Sequence, residues 1–205
     1  FGFRVSNFWF SENMNPRFSV ILVTYNSAPY LPTVIGALRA QTGRNWEAIV
    51  IDQASRDNTV EVLQDVIGDD TRFQITENPT NTGFCAAINE GINRARGDAV
   101  LFLNPDAVLD RSYLELALAT LARNPQVAAV QGRVRRYDFS RDEGERATNL
   151  IDTTGLVMLK SRRTINRGQG EMDHGQYHTP GEVFGVDGAV PFWRKAALED
   201  IKLCM

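Results

Sequence analysis

The sequence predicts an α/β protein with a mostly parallel sheet flanked by helices, followed by an irregular second half with short antiparallel strands. Between residues 18 and 131, apolar strand-like runs alternate with helix-periodic runs, a pattern typical of right-handed crossovers in a parallel sheet. Several of the strand-like runs stop abruptly at Thr, Asn or Asp. Because ligands bind just beyond the carboxyl ends of such strands, the sequence predicts a polar, partly acidic site at that edge.

The first half supplies the strands and helices in turn. Residues 18–24 are continuously apolar, as in a strand buried on both faces. Residues 30–41 repeat at helical spacing, with Pro32 in the first turn, where proline is tolerated. Asp57 or Ser55 is positioned to cap the second helix. The remaining predicted elements are strands at 46–51, 72–76, 99–103 and 127–130, and helices at 60–67, 84–95 and 114–121, the last ending near Asn124-Pro125.

The second half is less regular. Residues 138–150 are charged and loop-like, 152–159 and 182–186 resemble strands, and 194–201 resembles a helix. We expect one domain over residues 16–205 and an N-terminal extension over 1–15, because Met14 stands just before the first strand. The chain stops at Met205 within an apparent element, so we expect the domain to be truncated there.

Composition excludes several classes of protein. A chain of 205 residues with 43% hydrophobic residues is long enough to bury one sizeable core. The net charge of −3 and the absence of a long basic block give no reason to expect nucleic-acid binding. Cys85 and Cys204 do not make a disulfide framework and suit a reducing compartment, and we expect Cys85 to be a small core residue. No run approaches the roughly 20 apolar residues of a membrane span, and the start does not resemble a signal peptide, so we expect a cytoplasmic protein.

Asp52 is the first candidate functional residue. It closes a buried strand, where an unpaired carboxylate is costly. It either caps a helix that begins near Ser55 or accepts an N–H or hydroxyl of a ligand. A dinucleotide-binding domain also carries an acid at this position, but it needs a glycine-rich turn after the first strand. Residues 24–30 contain no glycine, so phosphates must be held in another way.

Asn104 and Asp106 are candidates for holding phosphates through a metal ion. They place an amide oxygen and a carboxylate immediately beyond the fourth strand. Mg²⁺ or Mn²⁺ takes one or two protein carboxylates and completes its shell with water and ligand phosphates. Asn-Pro-Asp alone favours an ordinary turn, whereas its combination with the neighbouring polar strand ends favours the site.

Four motifs in this order carry a family resemblance: VTYNS at 23–27, IDQASRDNT at 51–59, NTGFCAAINEGI at 81–92 and LFLNPD at 101–106. Together they resemble the family 2 glycosyltransferases, which have the GT-A (Rossmann-like) fold. The Asn-Pro-Asp form is similar to the branch that includes bacterial rhamnosyltransferases. Residues 183–200 also resemble that branch's acceptor segment, so the resemblance extends from residue 18 to about 201.

The resemblance implies roles for particular residues. The nucleotide-sugar would be bound by Thr24, Tyr25, Asn26, Asp52, Ser55, Asn81, Gly83, Phe84, Asn89, Asn104 and Asp106. The acceptor side would include Asp187, Gly188, Ala189 and Trp193, although Trp193 equally fits a core position. Asp106 would be the metal ligand. The chain departs from the family pattern in carrying Asn104 in place of an acid and Gln53 beside Asp52, which bears on metal affinity and on base contacts.

The family's reaction is an inverting displacement, in which a general base deprotonates an acceptor hydroxyl that attacks the anomeric carbon. The resemblance implies a pyrimidine nucleotide-sugar donor (dTDP- or UDP-linked, rhamnose as first choice) and a glycan or lipid-linked acceptor. It also implies surface-polysaccharide synthesis at the inner face of the membrane. The general base is expected on an acidic segment beyond Met205. The alternative is a truncated fragment that binds the nucleotide-sugar without transferring the sugar.

Other hypotheses are weaker. A nucleotidyltransferase would need a glycine-rich basic loop after the first strand, and a non-catalytic scaffold would not need the strand-end acids. His174 and His178 have a metal-binding spacing only if helical, and Gly175 and Pro180 favour a loop. Two basic patches are interpreted as solvated surface, with contact to a diphosphate or to anionic lipid as the alternative; they comprise Arg133, Arg135 and Arg136, and Lys160, Arg162 and Arg163.

Overall fold

The structure, a computed structural model, describes residues 17–201. The expected N-terminal extension and the expected truncation point at Met205 lie outside the described residues. The first half contains β1 (Phe18–Thr24), α1 (Leu31–Arg39), β2 (Trp46–Asp52), α2 (Thr59–Ile67), β3 (Phe73–Glu77), α3 (Phe84–Arg94), β4 (Ala99–Leu103), α4 (Tyr113–Arg123) and β5 (Ala129–Val130). The second half contains β6 (Val134–Tyr137), β7 (Ala147–Thr153), β8 (Leu156–Met158), β9 (Thr164–Asn166), β10 (Phe192–Arg194) and α5 (Lys195–Asp200).

The main sheet has the strand order β3-β2-β1-β4-β10-β5. Strands β1 to β4 are parallel, and β10 runs antiparallel between β4 and β5. The pairing places Thr24 opposite Asp52 and Leu22 opposite Leu103. The polar residues that follow these strands therefore emerge at one edge of the sheet, as the sequence predicts.

Helices cover the sheet on both faces. The larger core packs α1, α2 and α4 on one face, and α3 packs on the other. Every residue of β1 and β2 is buried, which explains why the middle of each strand is apolar without alternation. Gly91 lets α3 lie close to β1, because a Cβ at this position would stand 2.5 Å from Cγ2 of Ile21. Burial of each large aliphatic side chain in these layers contributes roughly 1.5–3 kcal/mol.

Strand β10 connects the C-terminal part of the described chain to the sheet formed by the N-terminal half. The Phe192 ring is fully buried and packs edge-on against Phe18, with ring centroids 5.9 Å apart. Arg194 donates from Nη2 to the carbonyl of Leu121 at 2.8 Å, at the end of α4. Lys195 Nζ donates to the carbonyl of Ala95 at 2.7 Å, at the end of α3. Residues 192–195 therefore fix helices on both faces of the sheet.

The predicted α/β fold with late antiparallel strands is confirmed, and the helices and strands of the first half lie within a few residues of their predicted bounds. The prediction of a strand at 182–186 is wrong, since this segment contributes only an isolated bridge between Gly185 and Leu156. The predicted strand at 152–159 is divided by a turn at Gly155, whose φ is +115°. Cys85 is exposed rather than buried. Strands β6, β9 and β10 were not predicted.

Candidate functional site

Asp52 lies at the centre of a hydrogen-bonded cluster at the ends of β1 and β2. Its carboxylate is buried, and Oδ1 accepts bonds from Thr24 Oγ1 at 2.8 Å and Ser55 Oγ at 2.5 Å. Oδ2 accepts the Ser55 N–H at 2.8 Å. The carboxylate therefore binds the turn at Ser55, but it does not cap α2, which begins at Thr59 with Asn58 at its N-cap. A carboxylate has about four acceptor positions, so the three bonds made by the described residues leave one position on Oδ2.

The loop after β1 is held against the loop after β2 by a reciprocal pair of bonds. The Asn26 N–H donates to Ser55 Oγ at 2.9 Å, and the Arg56 N–H donates to Asn26 Oδ1 at 2.8 Å. Asn26 has a φ of +49°, in the left-handed region that asparagine tolerates better than most residues. Tyr25 is 45% exposed, which leaves its ring available for stacking against a ligand at this edge.

The third loop, residues 78–83, is fixed to the same edge by Gln53. Gln53 Oε1 accepts bonds from both the N–H and the hydroxyl of Thr82 at 2.9 Å. Asn81 Oδ1 accepts the Gly83 N–H at 2.9 Å, and Gly83 has a φ of +89°. Gln53 was noted in the sequence only as a departure from the family pattern, and the structure shows that it anchors the loop that precedes α3.

A cleft of about 1000 Å³ lies beside this cluster, beyond the end of β4. Its lining includes Asn104 and Asp106 and also residues 187–190. The Asn104 N–H donates to the carbonyl of Ala189 at 3.0 Å, so these two parts of the lining lie side by side. Asp187 Oδ1 accepts the Ala189 N–H at 2.8 Å and shapes the turn.

The structure brings some of the predicted site residues together and leaves others apart. Asn104, Asp106 and Phe84 line the cleft together with Asp187, Gly188 and Ala189. The strand-end residues form the separate neighbouring cluster described above. Asn89 lies exposed on α3 and does not line the cleft. Trp193 lies in β10 with its ring 6.2 Å from that of Phe102, away from the cleft lining.

Three arginines that the sequence analysis assigned to solvated surface line the cleft: Arg133, Arg135 and Arg136. Arg133 Nε lies 3.0 Å from Asp173 Oδ2. Arg136 Nε lies 3.8 Å from Oδ1 of Asp152, which also lines the cleft. Strand β6 carries two of these arginines, and no sequence pattern signalled that this strand lines the cleft.

Tyr113 forms part of the cleft floor. Its hydroxyl donates to the carbonyl of Val190 at 2.5 Å, and burial raises the pKa of the phenol above its ordinary value. The ring packs so closely on Gly132 that a Cβ there would stand 2.8 Å from Cε2. Nearby, bonds from the N–H and hydroxyl of Ser112 lower the pKa of Asp110.

A second cleft of about 760 Å³ continues from the first, because both are lined by Asp106, Arg136, Tyr137 and Thr148. Its wall includes an aromatic stack in which the Phe139 ring lies 4.9 Å from that of Tyr30 and 4.8 Å from that of Tyr137.

Asp106 and Asn104 fit a hard divalent cation. Asp106 is exposed, and within residues 17–201 neither side chain has a hydrogen-bond partner. The described residues contain no group of three His, Cys, Asp or Glu side chains that could hold a metal alone. A cation here would therefore depend on ligand phosphate oxygens and water, as Mg²⁺ sites commonly do. His174 and His178 lie in a loop, as Gly175 and Pro180 indicated.

Comparison with known proteins identifies the family. Residues 19–186 match the profile of Glycosyl transferase family 2. The chain is 35% identical over 148 residues to an uncharacterized glycosyltransferase of Haemophilus influenzae, covering 72% of this chain and 59% of that protein. It is 25% identical over 183 residues to the poly-beta-1,6-N-acetyl-D-glucosamine synthase of Staphylococcus epidermidis, covering 89% of this chain and 40% of that protein.

Solved structures share the fold. The mannosyltransferase PcManGT from Pyrobaculum calidifontis, in complex with GDP-Man and Mn²⁺, matches with a TM-score of 0.63 at 22% identity, over 91% of this chain and 47% of that one. S. aureus TarS 1–349 in complex with UDP-GlcNAc matches with a TM-score of 0.61 at 20% identity, over 90% and 47%. No helix among residues 17–201 has the length and apolar character needed to cross a membrane. From the profile match and the GT-A fold together, the chain belongs to glycosyl transferase family 2.

Proposed function

We propose that this chain is the nucleotide-sugar-binding domain of an enzyme that transfers a sugar from a pyrimidine nucleotide-sugar to a glycan or lipid-linked acceptor, with inversion at the anomeric carbon. The observation that carries the proposal is the cleft lined by Asn104 and Asp106 beside residues 187–189, which the Asn104–Ala189 hydrogen bond joins. A phosphate-bearing donor at Asn104 and Asp106 would lie next to an acceptor at residues 187–189, which we call the acceptor wall. Relatives and neighbours named as sugar transferases support it.

The donor nucleoside would occupy the strand-end cluster. The free acceptor position on Asp52 Oδ2 suits a base N–H, and the exposed Tyr25 ring suits stacking. Ser55, Thr24 and Asn26 hold these groups in place. We propose a dTDP- or UDP-linked donor, with rhamnose as the first sugar to test because of the Asn-Pro-Asp sequence at residues 104–106.

A divalent cation, Mg²⁺ or Mn²⁺, would be held by Asp106 with help from the Asn104 amide oxygen. When bound, such an ion neutralises diphosphate charge and so stabilises the leaving group. The side chains themselves orient the donor. Asn81, Gly83 and Phe84 border the nucleotide at the start of α3, where Phe84 is 45% exposed and reaches the cleft. Asn89 is proposed as a more distant contact from the same helix.

The acceptor would lie against residues 187–189, with Trp193 supporting this wall from β10. Attack by the acceptor hydroxyl needs a general base near the cleft. The carboxylate of Asp187 is already used by the Ala189 N–H, so we do not propose it as the base. We propose that the base lies on an acidic segment beyond Met205.

We propose surface-polysaccharide synthesis at the cytoplasmic face of the membrane as the setting. The relative from Staphylococcus epidermidis is named as a polysaccharide synthase, which supports this part of the proposal. The chain covers less than two thirds of the relatives described above, at 59% and 40% of their lengths, so substrates and partners of the whole protein remain part of the proposal.

The test is a thermal-shift panel of uridine, thymidine and guanosine diphosphate-sugars, each with and without Mn²⁺. A ligand at 100 times its Kd adds about 2.7 kcal/mol of stability, so binding gives a readable shift. We expect a metal-dependent shift with one pyrimidine donor that is lost in Asp106→Asn. The matched control is Asp69→Asn, at an exposed position after α2, which should retain the shift. A folded protein that responds to no donor would contradict the proposal.

A further inference from the structure

The β8–β9 hairpin carries an exposed surface that the transfer reaction does not use. Residues 156–167 include four cations and no acidic residue, although the whole chain has a net charge of −3. Three of the cations stand at the turn: Lys160, Arg162 and Arg163. Within the described part of the chain, none of the three forms an ion pair.

Apolar side chains surround these cations. Met158 is 44% exposed, Leu159 40% and Ile165 38%. Phe184 is 60% exposed, and its N–H donates to the carbonyl of Leu156 at 3.0 Å, which holds it beside the hairpin. We call these four residues and the three cations of the turn the hairpin patch.

The apolar groups of the hairpin patch lie on both faces of the hairpin. Met158 is opposite Thr164, whereas Ile165 is opposite Val157, and adjacent positions along a strand point to opposite faces. A flat protein partner would cover only one of these faces. A lipid headgroup layer surrounds an inserted hairpin tip, so it contacts both faces and all three cations.

The other arginine group of the chain behaves differently. Arg133 is paired with Asp173, and Arg135 Nη1 donates to Asn149 Oδ1 at 3.2 Å. These arginines line the cleft. Among residues 17–201, the cations of the hairpin patch have no such partners, and they stand beside exposed apolar groups, a combination that favours an anionic interface.

We propose that the hairpin patch docks the protein on an anionic lipid surface, with the cations at lipid phosphates and the apolar side chains at the boundary of the acyl region. The hairpin follows β7, whose Asp152 lines the cleft, and Gly185 pairs with Leu156 just before the acceptor wall begins at Asp187. Docking there brings the acceptor wall close to the membrane. The inference does not depend on sugar transfer.

The test is co-sedimentation of the full chain with vesicles of phosphatidylcholine alone and of phosphatidylcholine mixed equally with phosphatidylglycerol. We expect binding to the mixed vesicles, weakened by salt. Each basic residue near an anionic surface strengthens partitioning onto the vesicles roughly fivefold. The double variant Lys160→Gln/Arg163→Gln should therefore partition about 25-fold more weakly than the wild-type protein. The double variant Phe184→Ser/Met158→Ser should also bind the mixed vesicles more weakly than the wild-type protein, at both low and high salt.

Matched controls separate the hairpin patch from general charge and hydrophobicity. Arg44→Gln/Arg111→Gln removes two exposed cations elsewhere, and Leu116→Ser removes an exposed apolar side chain on α4. All variants should melt near the wild-type temperature. Equal binding to the two vesicle types, or a loss in the control pair as large as in the hairpin variants, would overturn the proposal. Failure of the donor panel above would leave this result unaffected.

Discussion

The backbone N–H of Asn104 donates to the carbonyl of Ala189 at 3.0 Å. This bond connects the turn that follows β4 with a loop from the far end of the chain. It places the proposed metal ligand Asp106 and the proposed acceptor wall side by side in the lining of one cleft. Because β10 pairs with β4 directly after this loop, the central sheet holds the two parts of the lining together.

Thr24→Val should weaken both stability and donor binding. The substitution keeps the shape of the side chain but removes the hydroxyl that donates to Asp52 Oδ1. Loss of this buried bond should cost about 1–3 kcal/mol in the free energy of unfolding, measured by urea denaturation. Donor affinity should fall because the orientation of the carboxylate is no longer fixed. Thr71→Val, at an exposed position, should change neither quantity, and equal effects in the two variants would refute the assignment.

Glu47→Gln should reduce stability while leaving donor binding intact. Glu47 is buried near the start of β2 and accepts bonds from Ser19 Oγ at 2.7 Å and Arg96 Nε at 2.7 Å. This end of the sheet lies opposite the candidate site. Since Arg96 is largely exposed, its charge can return to water, so we expect a loss of about 1–3 kcal/mol.

Urea unfolding and the donor thermal shift together check the Glu47 prediction. Glu61→Gln, on the exposed face of α2, is the control and should match the wild-type protein. A selective loss of donor affinity in Glu47→Gln, without loss of stability, would contradict the structural role.

The ionised Asp70 carboxylate should stabilise the folded protein at neutral pH, and this contribution should be lost in acid. The Arg72 side chain, with Arg39, lowers the pKa of Asp70 from 3.8 to about 2. A depressed folded-state pKa contributes stability that is present above the unfolded value of 3.8 and is lost as pH falls toward 2. The contribution is on the order of 2 kcal/mol at neutral pH. Asp70→Asn should therefore be less stable than wild type at pH 6 but nearly equal below the folded-state pKa, as urea titrations at several pH values would show. A difference that does not depend on pH would exclude this linkage.

Gly132→Ala should disturb the cleft floor. The new Cβ would stand 2.8 Å from Cε2 of Tyr113, whose hydroxyl is tied to Val190. Overpacking of this kind costs about 1–3 kcal/mol, and displacement of the ring should weaken acceptor use more than donor binding. Gly144→Ala is the matched control because nothing lies within 4 Å of its Cβ position. Unchanged melting and transfer kinetics in Gly132→Ala would show that the ring moves freely.

The sequence by itself determined the alternation of β1 to β4 with α1 to α4 and the edge at which polar groups collect. These elements are encoded locally: Ala87, Ile88 and Gly91 form the buried face of α3 at helical spacing, and the middle of β1 is apolar without alternation because both its faces are covered. Local patterns also placed Asp52 at the end of β2 and Asp106 just beyond β4. Periodicity and turn chemistry act over a few residues, so one sequence is sufficient to read them.

Only the tertiary structure decided how the second half completes the site. Strand β10 has three residues, Phe192–Arg194, too few for a recognisable period, and its place between β4 and β5 depends on pairing with segments far away in the chain. The arginines of the cleft and the continuation into a second cleft follow from that packing. The exposed Cys85 has the same explanation, because the side of α3 that is covered depends on where the sheet lies, and the local sequence does not specify that position.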